Sequence, residues 1–192
     1  MKMRHVSIEL IKEYLERVGW VKYEEVDEPA EEEGMIFTGW RSSPDSKGYV
    51  VCIDPMTEKN CISFRSEQLF FLPVNATSLD VLMNLLLAIS WINYRTILGK
   101  FSYEPVGGEL KFSIDIPIDG DVFTYEQFLH SLGVFVNVVE SYAPSLKLIG
   151  MGRLSAQDFI LHDLNGEIIV EGEGWSDSFR NLLERLGGEG LN

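Results

Sequence analysis

The chain has 192 residues, 45% of them hydrophobic, and carries 16 Lys and Arg against 30 Asp and Glu for a formal net charge of −14. That length suits one compact domain, or one domain with an appendage, and the apolar content is ordinary for a folded one. The charge argues against a nucleic-acid binder, which needs a basic footprint, and against docking on anionic lipid. Two cysteines are too few for a disulfide framework. No segment has the form of a signal peptide or reaches the run of about 20 apolar residues that crosses a bilayer, so the expectation is a cytoplasmic protein with reduced thiols.

Ser7 is placed to cap a first helix, Ile8 to about Val18, with Ile8, Ile11, Leu15 and Val18 at helical spacing and Gly19 to end it. A strand is predicted over WVKYEEV, with Trp20 and Val26 near its ends. The run Glu24–Glu33 holds seven carboxylates and no cation; it reads as a solvated loop or as a lure for a basic partner. Gly34–Arg41 predicts a second strand, rich in aromatic and β-branched residues. Tyr49–Asp54 and Cys61–Ser66 predict two more around the turn PMTEKN. A turn centred on Met56–Thr57 sets Cys52 opposite Cys61. Three readings follow: two small buried thiols, a redox-sensitive bridge, or a metal site, the last hardest to build because two sulfurs without a nearby His do not close a tetrahedron.

A second helix begins near Ser78, with Asp80 in its first turn, and runs to about Arg95. It is apolar nearly all round, whereas a surface helix shows one stripe. Either its own domain covers it on both sides or a second subunit shares it, and an isologous dimer is the commonest way to cover a second face. A hairpin follows. Phe101 and Tyr103 alternate on one strand, Leu110, Phe112, Ile114 and Ile116 on the next, with Gly107–Gly108 at the turn. Thr124 and Gln127 form a capping box for a third helix, whose buried stripe is Phe128, Leu132, Phe135, Val136 and Val139 and which Pro144 is expected to stop. Beyond it, Asn165–Gly166 between two apolar runs predicts a hairpin over DFILHDLNGEIIVEG, and DSFRNLLERLGG reads as a short amphipathic helix capped by Asp177.

Little of this carries chemistry. His5, His130 and His162 are scattered at no metal-ligand spacing. GMGRLS (Gly150–Ser155) lacks the third glycine of a dinucleotide turn, and GWSDS (Gly174–Ser178) lacks the second glycine of a nucleophile elbow. Asp119 and Asp121 read as turn residues, because a hard cation wants more oxygens from one loop. No catalytic, cofactor-binding or metal-binding residue is therefore assigned. An enzyme assembled from scattered acids and His162 is the weakest of the rival readings.

The stretch LLLAISWINYRTILGKFSYEPVGGELKFSIDIPIDGDVFTYEQF resembles the YbjN family in a set of positions: Asn93, Gly99, Lys100, Phe101, Gly108, Glu109, Pro117, Thr124, Phe128 and Tyr142–Pro144. The likeness is clearest over residues 78–146. It implies an α+β fold of the type III secretion chaperone-like kind, an antiparallel sheet packed against helices over residues 1–149. Residues 150–192 are then an extension, a hairpin plus a short helix packing on the same domain. It further implies a homodimeric, non-enzymatic module that binds a protein or peptide client, or a regulator in sensory transduction, with no cofactor. The candidate interface is Leu82, Leu86, Ile89, Trp91, Phe101 and Tyr103. The alternative is a small-molecule-binding sensory domain with an apolar pocket between sheet and helix.

Overall fold

The structure is a computed structural model and describes residues 6–26, 34–41, 48–56, 59–66, 68–118 and 122–166. Along them run α1 (Ile8–Arg17), β1 (Tyr23–Val26), β2 (Met35–Trp40), β3 (Tyr49–Asp54), β4 (Cys61–Ser66), β5 (Phe70–Phe71), a 3-10 turn (Val74–Ala76), α2 (Leu79–Arg95), β6 (Lys100–Glu104), β7 (Glu109–Pro117), α3 (Tyr125–Gly150) and α4 (Ala156–Leu164). The fold is α+β. Seven antiparallel strands form one sheet in the order β1-β2-β3-β4-β7, with β5 continuing on the β4 side of β7 and β6 pairing on its far side.

Strand alternation decides which face is buried. Ile36, Trp40, Val51, Ile53, Ile62, Phe64, Phe101, Leu110, Phe112 and Ile114 all enter the core. α3 lies against β4 and β7, α1 and α2 both touch α3, α2 also touches edge strand β6, and α4 touches α2. The stripe expected on α3 is buried as read, and rings interlock across the sheet–helix interval. Phe64 meets Phe128 at 5.8 Å, Phe112 meets Phe135 at 5.5 Å and Trp40 meets Phe135 at 6.0 Å. The capping box of α3 is complete: Gln127 N–H donates to Thr124 Oγ1 (3.1 Å), and Thr124 N–H to Gln127 Oε1 (2.9 Å).

Two side chains stand in for missing strand. Between Phe64↔Ile114 and Phe70↔Leu110 the chain spends six residues against four on β7, so the β4–β7 ladder breaks after Arg65. There Ser66 Oγ accepts from Phe112 N–H (2.6 Å) and donates to Phe112 C=O (3.3 Å). On the outer edge of β6, the Asn93 carboxamide does the same to Phe101, accepting its N–H (2.8 Å) and donating to its C=O (3.0 Å). An edge strand otherwise offers such groups to a foreign strand, so Asn93 blocks strand addition at that point.

Four expectations are corrected. The first strand starts at Tyr23, not Trp20, because Trp20 belongs to the α1 terminus: its N–H reaches Leu15 C=O (2.9 Å) and Gly19 N–H reaches Glu16 C=O (3.0 Å), a Schellman closure with Gly19 at φ 81°. Cys52 lies opposite Arg65, and Cys61 opposite Pro117, so the two thiols do not face each other and neither is in a disulfide. The connection turns later than Met56–Thr57, because Lys59 and Cys61 N–H both bond Met56 C=O and Asn60 takes φ 47°. Pro144 does not stop α3, which continues to Gly150. An interior proline costs about 3 kcal/mol, but Leu146 and Ile149 beyond it are fully buried, and each such burial returns about 1.5–3 kcal/mol. Finally, the first arm of the expected hairpin is helix α4, with Ser155 as its N-cap and Asn165–Gly166 as its C-terminus, Gly166 at φ 73°. Asn-Gly suits a hairpin turn and a helix end equally, since both need positive φ. The second arm and the short helix lie outside the described residues, as does most of the acidic run, though Glu24 and Glu25 are in β1.

Candidate interaction surface on helix α2

Ser78 starts α2 by accepting from Val81 N–H (3.4 Å), with Asp80 in the first turn and Arg95 in the last. These are its only charges, so nothing but packing distinguishes its sides. The structure divides them three ways. Leu82, Leu85, Ala88, Ile89 and Ile92 are buried in the core. Asn84, Trp91 and Arg95 reach α4. Leu79, Met83, Leu86, Leu87, Ser90 and Tyr94 face outward, with Leu79 72%, Leu86 44% and Tyr94 84% exposed. At about 100° per residue these six span an arc of about 100° with no charge in it. Among the described residues, then, the domain does not cover α2 on both sides.

The six expected interface residues do not share one surface. Leu82 and Ile89 sit in the core beneath α2, and Phe101 is buried on β6 against Phe112 (rings 4.8 Å apart). Tyr103 is half-buried and donates its hydroxyl to Leu72 C=O (2.5 Å). Trp91 is half-buried and turned to α4. Leu86 alone lies on the outward arc. Sequence periodicity could not make the division, because an all-apolar helix has no stripe to read. Leu79, Met83, Leu87 and Tyr94 are the members it missed.

The α4 flank is held by polar contacts at both ends. Asn84 Oδ1 accepts from Ala156 N–H (2.7 Å), and Asp163 Oδ2 accepts from Trp91 Nε1 (2.6 Å) and from Arg95. The contacts are seven residues apart on each helix and rise together, so α4 runs parallel to α2. Asp163 is buried, and the Tyr142 hydroxyl comes within 3.5 Å of its Oδ1.

Burial first, and then the Asp163 carboxylate, push the Tyr142 hydroxyl up to about 12. An unfolded tyrosine loses its proton near 10. Between about pH 10 and 12 the folded chain therefore keeps a proton that the unfolded chain has lost, and stability falls as pH rises. From about pH 9 to 11, wild type should lose about 1 kcal/mol more in denaturant unfolding than Tyr142→Phe. Equal losses would show that Tyr142 does not titrate abnormally.

Among the described residues, the remaining polar groups lie apart on the sheet and helices. On the sheet face away from the helices, Arg65 Nη2 donates to Asp54 Oδ2 (2.8 Å) and lies 3.6 Å from Cys52 Sγ, and Ser63 Oγ donates to Asp115 Oδ1 (2.7 Å). Burial and then the nearby Asp115 raise the Cys61 thiol above its ordinary value, which disfavours the nucleophilic thiolate. His130 and His162 are on the exposed sides of α3 and α4. Among the described residues no three His, Cys, Asp or Glu side chains are grouped to hold a metal, and no helix is long and apolar enough to cross a membrane. No family model matches the chain, and no curated protein or solved structure is significantly similar to it.

Proposed function

We propose that the chain is a non-enzymatic protein- or peptide-binding module, chaperone-like or regulatory, that works as a homodimer through the outward arc of α2. The observation that carries this reading is the arc itself: five large apolar side chains in line over four turns, with Ser90 the only polar member. Contiguous apolar surface of this kind marks interaction sites more often than scattered exposed residues do. The expected client is a segment that is apolar at its contact and basic at its rim, given the net charge of −14. The rival apolar pocket between sheet and helices is less well supported, because Phe64, Phe112, Phe128 and Phe135 fill that interval and are fully buried.

Leu86→Asp is the direct test. Leu86 is outside the core, so the variant should fold with stability within about 0.5 kcal/mol of wild type. A carboxylate at the centre of an apolar interface should weaken self-association at least about thirtyfold. Sedimentation equilibrium should show a wild-type dimer and a folded variant monomer. A wild-type chain that stays monomeric through the micromolar range would remove the homodimer from the proposal.

A further inference from the structure

Of the eight asparagines in the chain, Asn165 is the one followed by glycine; each of the others precedes a larger residue or ends the chain. An asparagine side chain can lose its amide when the backbone nitrogen of the next residue attacks its Cγ. Glycine, with no Cβ, hinders that approach least and leaves the backbone freest to reach it. Asn165 is the C-cap of α4, and both it and Gly166 are exposed. Gly166 is at φ 73°, and no described atom lies within 4 Å of the place a Cβ would take there. Water therefore reaches both reacting groups. By contrast, backbone partners hold the carboxamides of Asn84 and Asn93. Asn84 lies between Ala156 N–H (2.7 Å) and Asp80 C=O (2.8 Å), and Asn93 is bound to Phe101.

The closed form of α4 holds the reaction back. Asn165 sits at ψ −2°, which turns the Gly166 nitrogen away from the Asn165 side chain. Gly166 N–H donates to Asp163 C=O (3.2 Å), and Asn165 N–H to Leu161 C=O (3.0 Å). Ring closure needs this last turn to open. Helix ends open at low cost in free energy. Here, however, the turn carries Asp163, which Trp91 Nε1 (2.6 Å) and Arg95 hold from α2. The contact that docks α4 thus also keeps Asn165 in its unreactive conformation.

We propose that Asn165 is a self-modification site: it deamidates through attack by the Gly166 nitrogen, at a rate set by how often the last turn of α4 opens. The Gly166 nitrogen gives its proton to solvent base and bonds to Asn165 Cγ. The Cγ–Nδ2 bond breaks, and the amide leaves as ammonia with a proton taken from water. Water then opens the cyclic imide at either carbonyl, leaving aspartate or isoaspartate at 165. Nothing is oxidised or reduced. The new carboxylate stands at the C-terminus of α4, where the free carbonyls already carry partial negative charge, and isoaspartate adds a methylene to the main chain. Both products loosen the end of α4, so conversion is a one-way weakening of the α2–α4 contact.

The test holds the full chain at neutral and at mildly alkaline pH and follows amide-to-acid conversion at each asparagine by peptide mapping in a mass spectrometer. Wild type is compared with Trp91→Phe and Gly166→Ala. In wild type, Asn165 should convert at least tenfold faster than Asn84 or Asn93, and faster at the higher pH. Trp91→Phe removes one donor from Asp163 and should speed conversion at least threefold. Gly166→Ala should slow it at least tenfold, although alanine at that φ loosens the turn, the opposite of what a purely structural effect would give. A wild-type rate at Asn165 no higher than at Asn84 and Asn93 overturns the proposal. So does an equal rate in wild type and a folded Trp91→Phe. Should Trp91→Phe not fold, guanidinium chloride below the unfolding transition of wild type takes its place: conversion should quicken as denaturant rises, and an unchanged rate overturns the proposal.

Discussion

A chain carrying Gly108→Ala is expected to melt about 10 °C below wild type. Gly108 holds φ 77°, a conformation that costs an L-residue about 1 kcal/mol. The larger effect is steric. A Cβ there would lie 2.3 Å from Pro73 N and 2.4 Å from Leu72 C, both backbone atoms that cannot rotate aside. That close approach lets Leu72 N–H bond Gly108 C=O (2.7 Å) and ties the β5 end to the hairpin. Overpacking adds about 1–3 kcal/mol, and each kcal/mol lowers Tm by about 2–4 °C in a domain of this size. Gly107→Ala is the control: its Cβ would meet the Glu104 carboxylate at 2.9 Å, the far end of a side chain that can shift where backbone cannot, so less than about 1 kcal/mol is expected. Calorimetry that finds the two variants equally stable would show that the turn relaxes freely.

Arg95→Met is expected to cost roughly 3–5 kcal/mol, the range for removing one partner of a buried ion pair. The Asp163 side chain is 1% exposed, whereas that of Arg95 is 41% exposed. Losing the arginine strands a carboxylate that is almost wholly buried, with the Trp91 and Tyr142 donors left to it among the described residues. Adding Asp163→Leu should recover most of the loss, because the charge that needed a partner is gone. Denaturant titrations of the wild type, both single variants and the double variant give the coupling. A cost below about 1 kcal/mol for Arg95→Met alone would mean that solvent reaches Asp163 in the folded chain.

The family-like positions acquire physical roles that carry no chemistry. Asn93 closes the edge of β6 and Thr124 caps α3. Gly99 is held at φ 90°, where a Cβ would lie 2.5 Å from the Phe112 ring, and Gly108 lets Leu72 approach. These residues specify a fold. A contact surface leaves no comparable signature, because it needs only that apolar side chains stay uncovered.

By itself the sequence determined what depends on local rules. The extents of α1, β3, β4 and α2, the capping box, the glycine hairpin and the α3 stripe all follow from periodicity and cap chemistry, which act within a few residues. Only the tertiary structure decided what depends on residues far apart in the chain. It set which third of α2 stays bare, since α3, β6 and α4 compete for the rest. It carried α3 past Pro144 by burying Leu146 and Ile149. It turned an Asn-Gly that could end a strand or a helix into the end of α4, because Asp163, one turn of helix earlier in register with Trp91 and Arg95, had partners waiting on α2. A local pattern can fix an element, but exposure is a difference between packed and unpacked surface, and only the assembled domain sets it.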